Sequence, residues 1–125
     1  MTKNYLYISG PISNDPDYLT KFINCERWIL KNTKCIPINP AVASPVLLKK
    51  QGIDNPNQDD YMRMSINLLT LNPNTGIVML EDWELSEGAK IENQVAINLN
   101  YNIYYFDQNV PELFSWYTIP KEMFK

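Results

Sequence analysis

Hydrophobic positions along the chain follow two periods in turn. Asn4 to Ser9 (NYLYIS) is aromatic and β-branched and stops at Gly10-Pro11, which predicts a first strand. Behind Asp15-Pro16, an N-cap followed by a first-turn proline, Tyr18, Phe22, Cys25 and Ile29 recur at helical spacing and predict a helix to about Lys31. Lys34 to Asn39 (KCIPIN) is short, apolar and interrupted by Pro37, as an edge strand is.

From Ala41 to Asn57 the residues Pro45, Gly52 and Pro56 break any sustained period, which predicts a long loop with one short helix around Val46 to Lys50. Asp59 or Asp60 then caps a helix in which Met62, Ile66 and Leu69 share a face, and Asn72-Pro73-Asn74 ends it. Gly76 to Leu80 (GIVML) is a continuous apolar run, the mark of a strand covered on both faces. A helix after Ser86, a strand over Asn102 to Phe106 (NIYYF) and an aromatic tail with Phe114, Trp116 and Tyr117 complete the chain.

This alternation implies right-handed crossovers and a single α/β domain over 1–125, with its core from about 4 to 106 and a tail over 107–125. The fold expected is a Rossmann-like or flavodoxin-like three-layer sandwich with a mostly parallel sheet of about four to five strands. Ligands of such folds sit outside the carboxyl ends of the strands. Three segments converge there: SGPISND, the Asn39-Pro40 loop and EDWELSEG.

Composition narrows the chemistry. The chain has no histidine, which removes the commonest general base and the commonest metal ligand together. Cys25 and Cys35 lack metal or redox spacing and read as buried thiols, so neither a metal nor a cofactor is expected. A net charge of −3 argues against a polymeric nucleic acid as partner, although a small anion at one local site is compatible with it. No apolar run reaches the roughly 20 residues that span a bilayer, and MTKNYLYISG lacks the parts of a signal peptide. A cytoplasmic protein without a membrane partner is expected.

If Ser86 starts the third helix, Ala89, Glu92, Ala96 and Leu99 form one stripe at core spacing, which puts a carboxylate where an apolar side chain belongs. Glu92 is then either a functional group beside the cleft or an ordinary surface glutamate on a helix rotated so that Ile91 and Val95 make the core. Ser86, Gly88 and Ala89 at the helix start offer a hydroxyl, close approach and free N–H groups to an anion, or plain capping. Ser9, Gly10, Pro11 and Ile12 form either a backbone ligand site or a tight turn. Tyr7 either sets its hydroxyl by the carboxylate or packs. Arg63 pairs with an anion, with Glu84, or in a surface ion pair.

Taken together, YISGPIS, the NPA at Asn39 to Ala41, YMRMS at Tyr61 to Ser65 and IVMLEDWELSEGAKIENQVA at Ile77 to Ala96 are similar to the nucleoside 2-deoxyribosyltransferase-like superfamily, close to its small phage and bacterial members. The likeness runs in order over most of residues 5 to 106. It implies cleavage of the bond between base and deoxyribose, or deoxyribosyl transfer, on a nucleotide or nucleoside. By the same likeness Glu92 is the nucleophile, Tyr7 its strand-end companion, and Ser86 and Gly88 the 5'-phosphate holders beside Ser9 to Ile12. It also implies a homodimer or higher homo-oligomer, for which the tail offers a contact.

Two aspartates of the family are replaced. Asn74-Thr75-Gly76 stands where one is usual and Ser65 where the other is, with Asp59, Asp60 or Asp82 as candidate substitutes. Their loss favours the alternative, a non-catalytic protein that sequesters or senses a nucleotide-like signal.

Overall fold

A computed structural model describes residues 3–114 and 121–125. Trp116 and Tyr117, expected to act as a contact surface, lie outside them. Five strands form one sheet in the order β2-β1-β3-β4-β5: β1 (Tyr5–Ser9), β2 (Ile36–Ile38), β3 (Thr75–Met79), β4 (Ile103–Asp107) and β5 (Glu112–Phe114). The first four run parallel and β5 turns back antiparallel on β4. The expected mostly parallel α/β sandwich is therefore the fold.

Side-chain alternation along β1 divides the core. Leu6 and Ile8 face one layer with Phe22, Cys25 and Ile29 of α1 (Tyr18–Asn32). Tyr7 faces the other layer with Leu69 of α3 (Gln58–Thr70) and with Ala89 and Ala96 of α4 (Glu87–Asn98). Each fully buried aliphatic or aromatic side chain in these layers contributes about 1.5–3 kcal/mol. The central strand β3, TGIVM, is buried at all five positions, as its unbroken apolar run requires.

Helix starts differ from expectation in instructive ways. Asp15 accepts a hydrogen bond from the Asp17 N–H at 2.9 Å, so it shapes the turn before α1, and the helix itself begins at Tyr18. The α3 start moves to Asn57, which forms a reciprocal capping box with Asp60 at 2.8 and 3.0 Å. The larger correction is α2 (Pro40–Lys50), which fills most of what the sequence reads as loop. Asn39 caps it and Pro40 takes the first turn, where a missing N–H costs nothing. Pro45 sits inside it.

The chain places β2 on one side of β1 and β3 on the other, so the direction of winding reverses between β1 and β3. A crevice outside the carboxyl ends of two such strands is the usual ligand position of open α/β sheets. Ser9 and Leu80 mark it here, joined by the Leu80 N–H donating to the Ser9 carbonyl at 2.8 Å. Among the described residues no helix is long and apolar enough to cross a membrane.

Candidate active site

Two residues apart on β1, Tyr7 and Ser9 present their hydroxyls on the same face of the sheet, because strand side chains alternate. That face is covered by α4. Ser86 caps α4 by accepting from the Ala89 N–H at 3.2 Å, and this fixes the phase of the helix. Ala89, Glu92 and Ala96 then point inward, whereas Ile91 is 47% exposed, which excludes a helix rotated onto Ile91. Leu99 departs from the expected stripe; it follows the last helical residue and is 48% exposed.

Glu92 is only 6% exposed, deeper than a position at the mouth of a cleft. The hydroxyl of Tyr7 donates to Glu92 Oε2, and Ser9 Oγ donates to Oε1 at 2.8 Å. Both carboxyl oxygens are therefore partnered by neutral donors, with no cation bonded to them among the described residues. Burial pushes the Glu92 carboxyl up to about 7, against the pull of the Tyr7 and Ser9 hydrogen bonds. Tyr7 is held well above its ordinary range by burial first, then by the Glu92 charge and its bond to Glu92, while a hydrogen bond with Ser65 acts the other way. The carboxyl thus changes charge near neutral pH inside a satisfied network.

One and a half turns before Glu92 lies the start of α4. The N–H groups of Glu87 and Gly88 lie in the first turn, where no intrahelical acceptor exists, and Ser86 adds its hydroxyl. A Cβ built on Gly88 meets nothing closer than Met62 Sδ and Ser86 Oγ, both at 3.9 Å, and the backbone there is not left-handed. The fold does not require glycine at this position. Glycine keeps open a small volume over two free donors, which suits close approach of an anion. Lys90 is paired with Glu87 at 2.7 Å on the exposed side of the helix start.

The remaining candidates divide into those gathered at this edge and those spent elsewhere. Gly10 is buried, and its position is dictated by packing, because a Cβ there would lie 2.8 Å from Leu80 Cβ. Pro11 is half-buried and Ile12 exposed in the turn that follows. Asn39 is buried at the end of β2. Asp82 is exposed with a left-handed backbone (φ 64) at the start of the 3-10 turn Trp83–Leu85. Arg63 is bonded to Asp60 at 2.6 Å on an exposed face, the bland alternative among its readings.

Two residues on α3 join the cluster: Ser65, which the resemblance places where the family has an aspartate, and Met62, which the periodicity reads only as part of the core face. Met62 stands by Gly88, and Ser65 bonds Tyr7. The core face expected from Met62, Ile66 and Leu69 is corrected: Met64 and Leu69 are the buried residues of α3, and Met62 and Ile66 are half-buried beside them, which leaves Met62 on the side of Gly88. Among the described residues no group of three or more His, Cys, Asp or Glu side chains could hold a metal ion. A cavity of about 320 Å³ opens at the opposite, amino edge of the sheet, lined by Asn74, Asn100, Asn102 and Tyr104 among others, and shares no residue with the Glu92 cluster.

Fold and site together define a small α/β protein with a buried carboxylate at the switch point of its sheet. Residues 4–105 match the model of a family described as "Domain of unknown function (DUF4406)", and the chain belongs to that family. No curated protein matches the chain, and no solved structure does.

Proposed function

We propose that the protein cleaves, or transfers across, the N-glycosidic bond of a deoxynucleotide or deoxynucleoside, with Glu92 as nucleophile. The observation that carries this reading is the binding of both Glu92 oxygens by Tyr7 and Ser9 in a buried position, with the open helix start at Ser86 and Gly88 on the same helix. Resemblance to the nucleoside 2-deoxyribosyltransferase-like superfamily supports the same residues in the same roles.

In the reaction, ionised Glu92 attacks the anomeric carbon through an oxocarbenium-like transition state. The carbon–nitrogen bond breaks, and the base leaves with the electron pair and takes up a proton. Water, or a second base, then attacks the glycosyl ester, whose carbon–oxygen bond breaks to restore the carboxylate. Hydrolysis releases one proton to solvent. The hydroxyls of Tyr7 and Ser9 orient the carboxylate and limit its protonation.

Incubation with a panel of deoxynucleosides and their 5'-monophosphates tests this directly. Free base is expected from at least one member and none from Glu92→Gln. Absence of base from every member, with binding intact, sinks the reading.

The second reading, a protein that holds a nucleotide-like ligand unchanged, has one observation in its favour. Glu92 is the only buried carboxylate among the described residues, and Asp60 is committed to Asn57 and Arg63. Among the described residues no second buried acid accompanies Glu92 to protonate a departing base. A ligand that raises the melting temperature and is recovered intact supports this alternative.

A further inference from the structure

Each of the three central strands is entered through an asparagine: Asn4 precedes β1, Asn74 precedes β3 and Asn102 precedes β4. Their carbonyls are fixed in the sheet, accepting in turn from the N–H groups of Ile36, Tyr5 and Ile77, each at 2.9 Å. None of the three has a left-handed backbone, so no turn demands a carboxamide there. Among the described residues the Asn4 and Asn74 carboxamides make no hydrogen bond, and that of Asn102 bonds Tyr104.

The register puts this row on one face. Leu6 is opposite Gly76, and Val78 is opposite Tyr104. Two residues earlier in each case, Asn4, Asn74 and Asn102 share the face of Leu6, Gly76 and Tyr104, which is not the face of Tyr7. Neighbouring strands lie about 4.8 Å apart, so the carboxamides stand side by side across the amino edge of the sheet.

All three line the cavity of about 320 Å³ at that edge. Its floor is closed: Leu6 and Tyr104 are buried, and a Cβ on Gly76 would lie 3.1 Å from Leu6 Cδ2 and 2.9 Å from Tyr104 Cε2. Reachable apolar surface comes from Leu99, whose exposure the core does not explain, and from half-buried Tyr101. Among the described residues no Lys or Arg lines the cavity, and Glu122 is its one acidic side chain.

A carboxamide carries both donor and acceptor, and asparagine pairs with a nucleobase edge through the two together. Phosphate finds no cation here. A saturated sugar needs hydrogen bonds on every side, which Leu99 and Tyr101 do not give. A planar heterocycle gathers its donors and acceptors on its edges and leaves apolar faces, and the volume is at the lower end of small-molecule pockets.

We infer that the amino edge of the sheet binds an uncharged planar nucleobase, free or in an unphosphorylated nucleoside, with its hydrogen-bonding edge on Asn4, Asn74 and Asn102 and its ring against Leu99 and Tyr101. The inference rests on the proposed glycosidic reaction only for the choice of nucleobase among such heterocycles, and on the cavity and its asparagine row for the place. The site shares no residue with the Glu92 cluster and lies at the other end of the strands, so its occupant is not the molecule that Glu92 attacks.

Titration of the isotope-labelled full chain with adenine, cytosine and thymine, followed by NMR, tests this. At least one base is expected to shift the amide signals of Asn4, Asn74, Gly76 and Asn102 saturably, whereas deoxyribose and inorganic phosphate leave them in place. Asn74→Ala and Asn4→Ala keep the backbone carbonyls in the sheet, and both positions are exposed, so each variant is expected to melt with its parent. Each is expected to raise the Kd of the best base by roughly three- to tenfold.

No saturable shift at the amino edge with any base overturns the inference, as does equal affinity in both variants or an equal response to deoxyribose. Base binding at this edge by a protein that releases no base from any nucleoside supports the site and removes only the catalytic reading. Base release without binding at this edge overturns the inference alone.

Discussion

The hydroxyl of Tyr7 donates to the carboxylate of Glu92 across 85 residues of sequence, from the central region of the sheet to the inward face of α4. Neither group has another explanation in the fold: the tyrosine carries a polar end into an apolar layer, and the glutamate replaces what packing would make an aliphatic side chain. Each makes the burial of the other tolerable.

Removing the phenol alone separates orientation from packing. Tyr7→Phe keeps the ring in its layer and takes one donor from Glu92. The Glu92 pKa is expected to rise above its value of about 7, and the acid limb of any rate profile to move with it. A carboxyl titration followed by NMR reads this without substrate. A pKa unchanged or lowered in the variant would contradict the role given to Tyr7.

The raised pKa of Glu92 also fixes a dependence of stability on pH. Its ordinary value of 4.5 applies to the unfolded chain, and the folded value is about 7, so between these limits the folded state binds more protons. Stability from this group is present below pH 4.5 and is lost as pH rises toward 7, by about 3 kcal/mol in all. Glu92→Gln does not titrate. Its melting temperature relative to the parent is expected to climb from pH 4.5 to 7 and then level off, and a difference independent of pH would refute the assignment.

Gly88→Ala distinguishes a glycine kept for the fold from one kept for a ligand. The added methyl meets no atom closer than 3.9 Å, so stability should stay level or improve by up to about 1 kcal/mol, as expected for glycine in a helix. Binding of a 5'-monophosphate should weaken about tenfold by calorimetry, through loss of close approach to the free N–H groups. Equal binding by parent and variant would show that no anion rests there.

Gly10→Ala should behave in the opposite sense. Its methyl would stand 2.8 Å from Leu80 Cβ, with Leu80 Cδ1 and Cγ at 3.1 and 3.2 Å, and neither backbone can move freely where Ser9 and Leu80 are hydrogen bonded. A loss of about 1–3 kcal/mol is expected in denaturant unfolding, the range for overpacking. A variant as stable as its parent would mean that β1 and β3 part more easily than this packing implies.

Much of this architecture is legible in the chain because local signals and tertiary fate agree. NYLYIS and GIVML are strands by residue type and are strands in the sheet, and Ser86 caps its helix as its spacing predicts. The helix α2 is hidden because Pro40-Ala41-Val42-Ala43-Ser44-Pro45-Val46 is apolar or small on every side and carries two prolines, so it shows neither amphipathic period nor clean helix propensity. The antiparallel β5 has only three residues, too few for alternation to declare itself. Within the site, Ala89, Glu92 and Ala96 are readable as one stripe. The partners of Glu92 are not, since nothing local specifies which strand lies beneath a helix, and the burial that sets its pKa belongs to the assembled layers.

Strand β1 is paired on both sides, with Tyr7 opposite Ile38 and Ile77. Because its side chains alternate, a slip by one residue would offer Leu6 and Ile8 to α4 in place of Tyr7 and Ser9, and Glu92 would be buried against methyl groups with neither oxygen satisfied. The hydrogen bonds that shape the site therefore also penalise the misaligned sheet. Chemistry and folding fidelity are secured here by the same three side chains, so substitutions that retire the first should loosen the second.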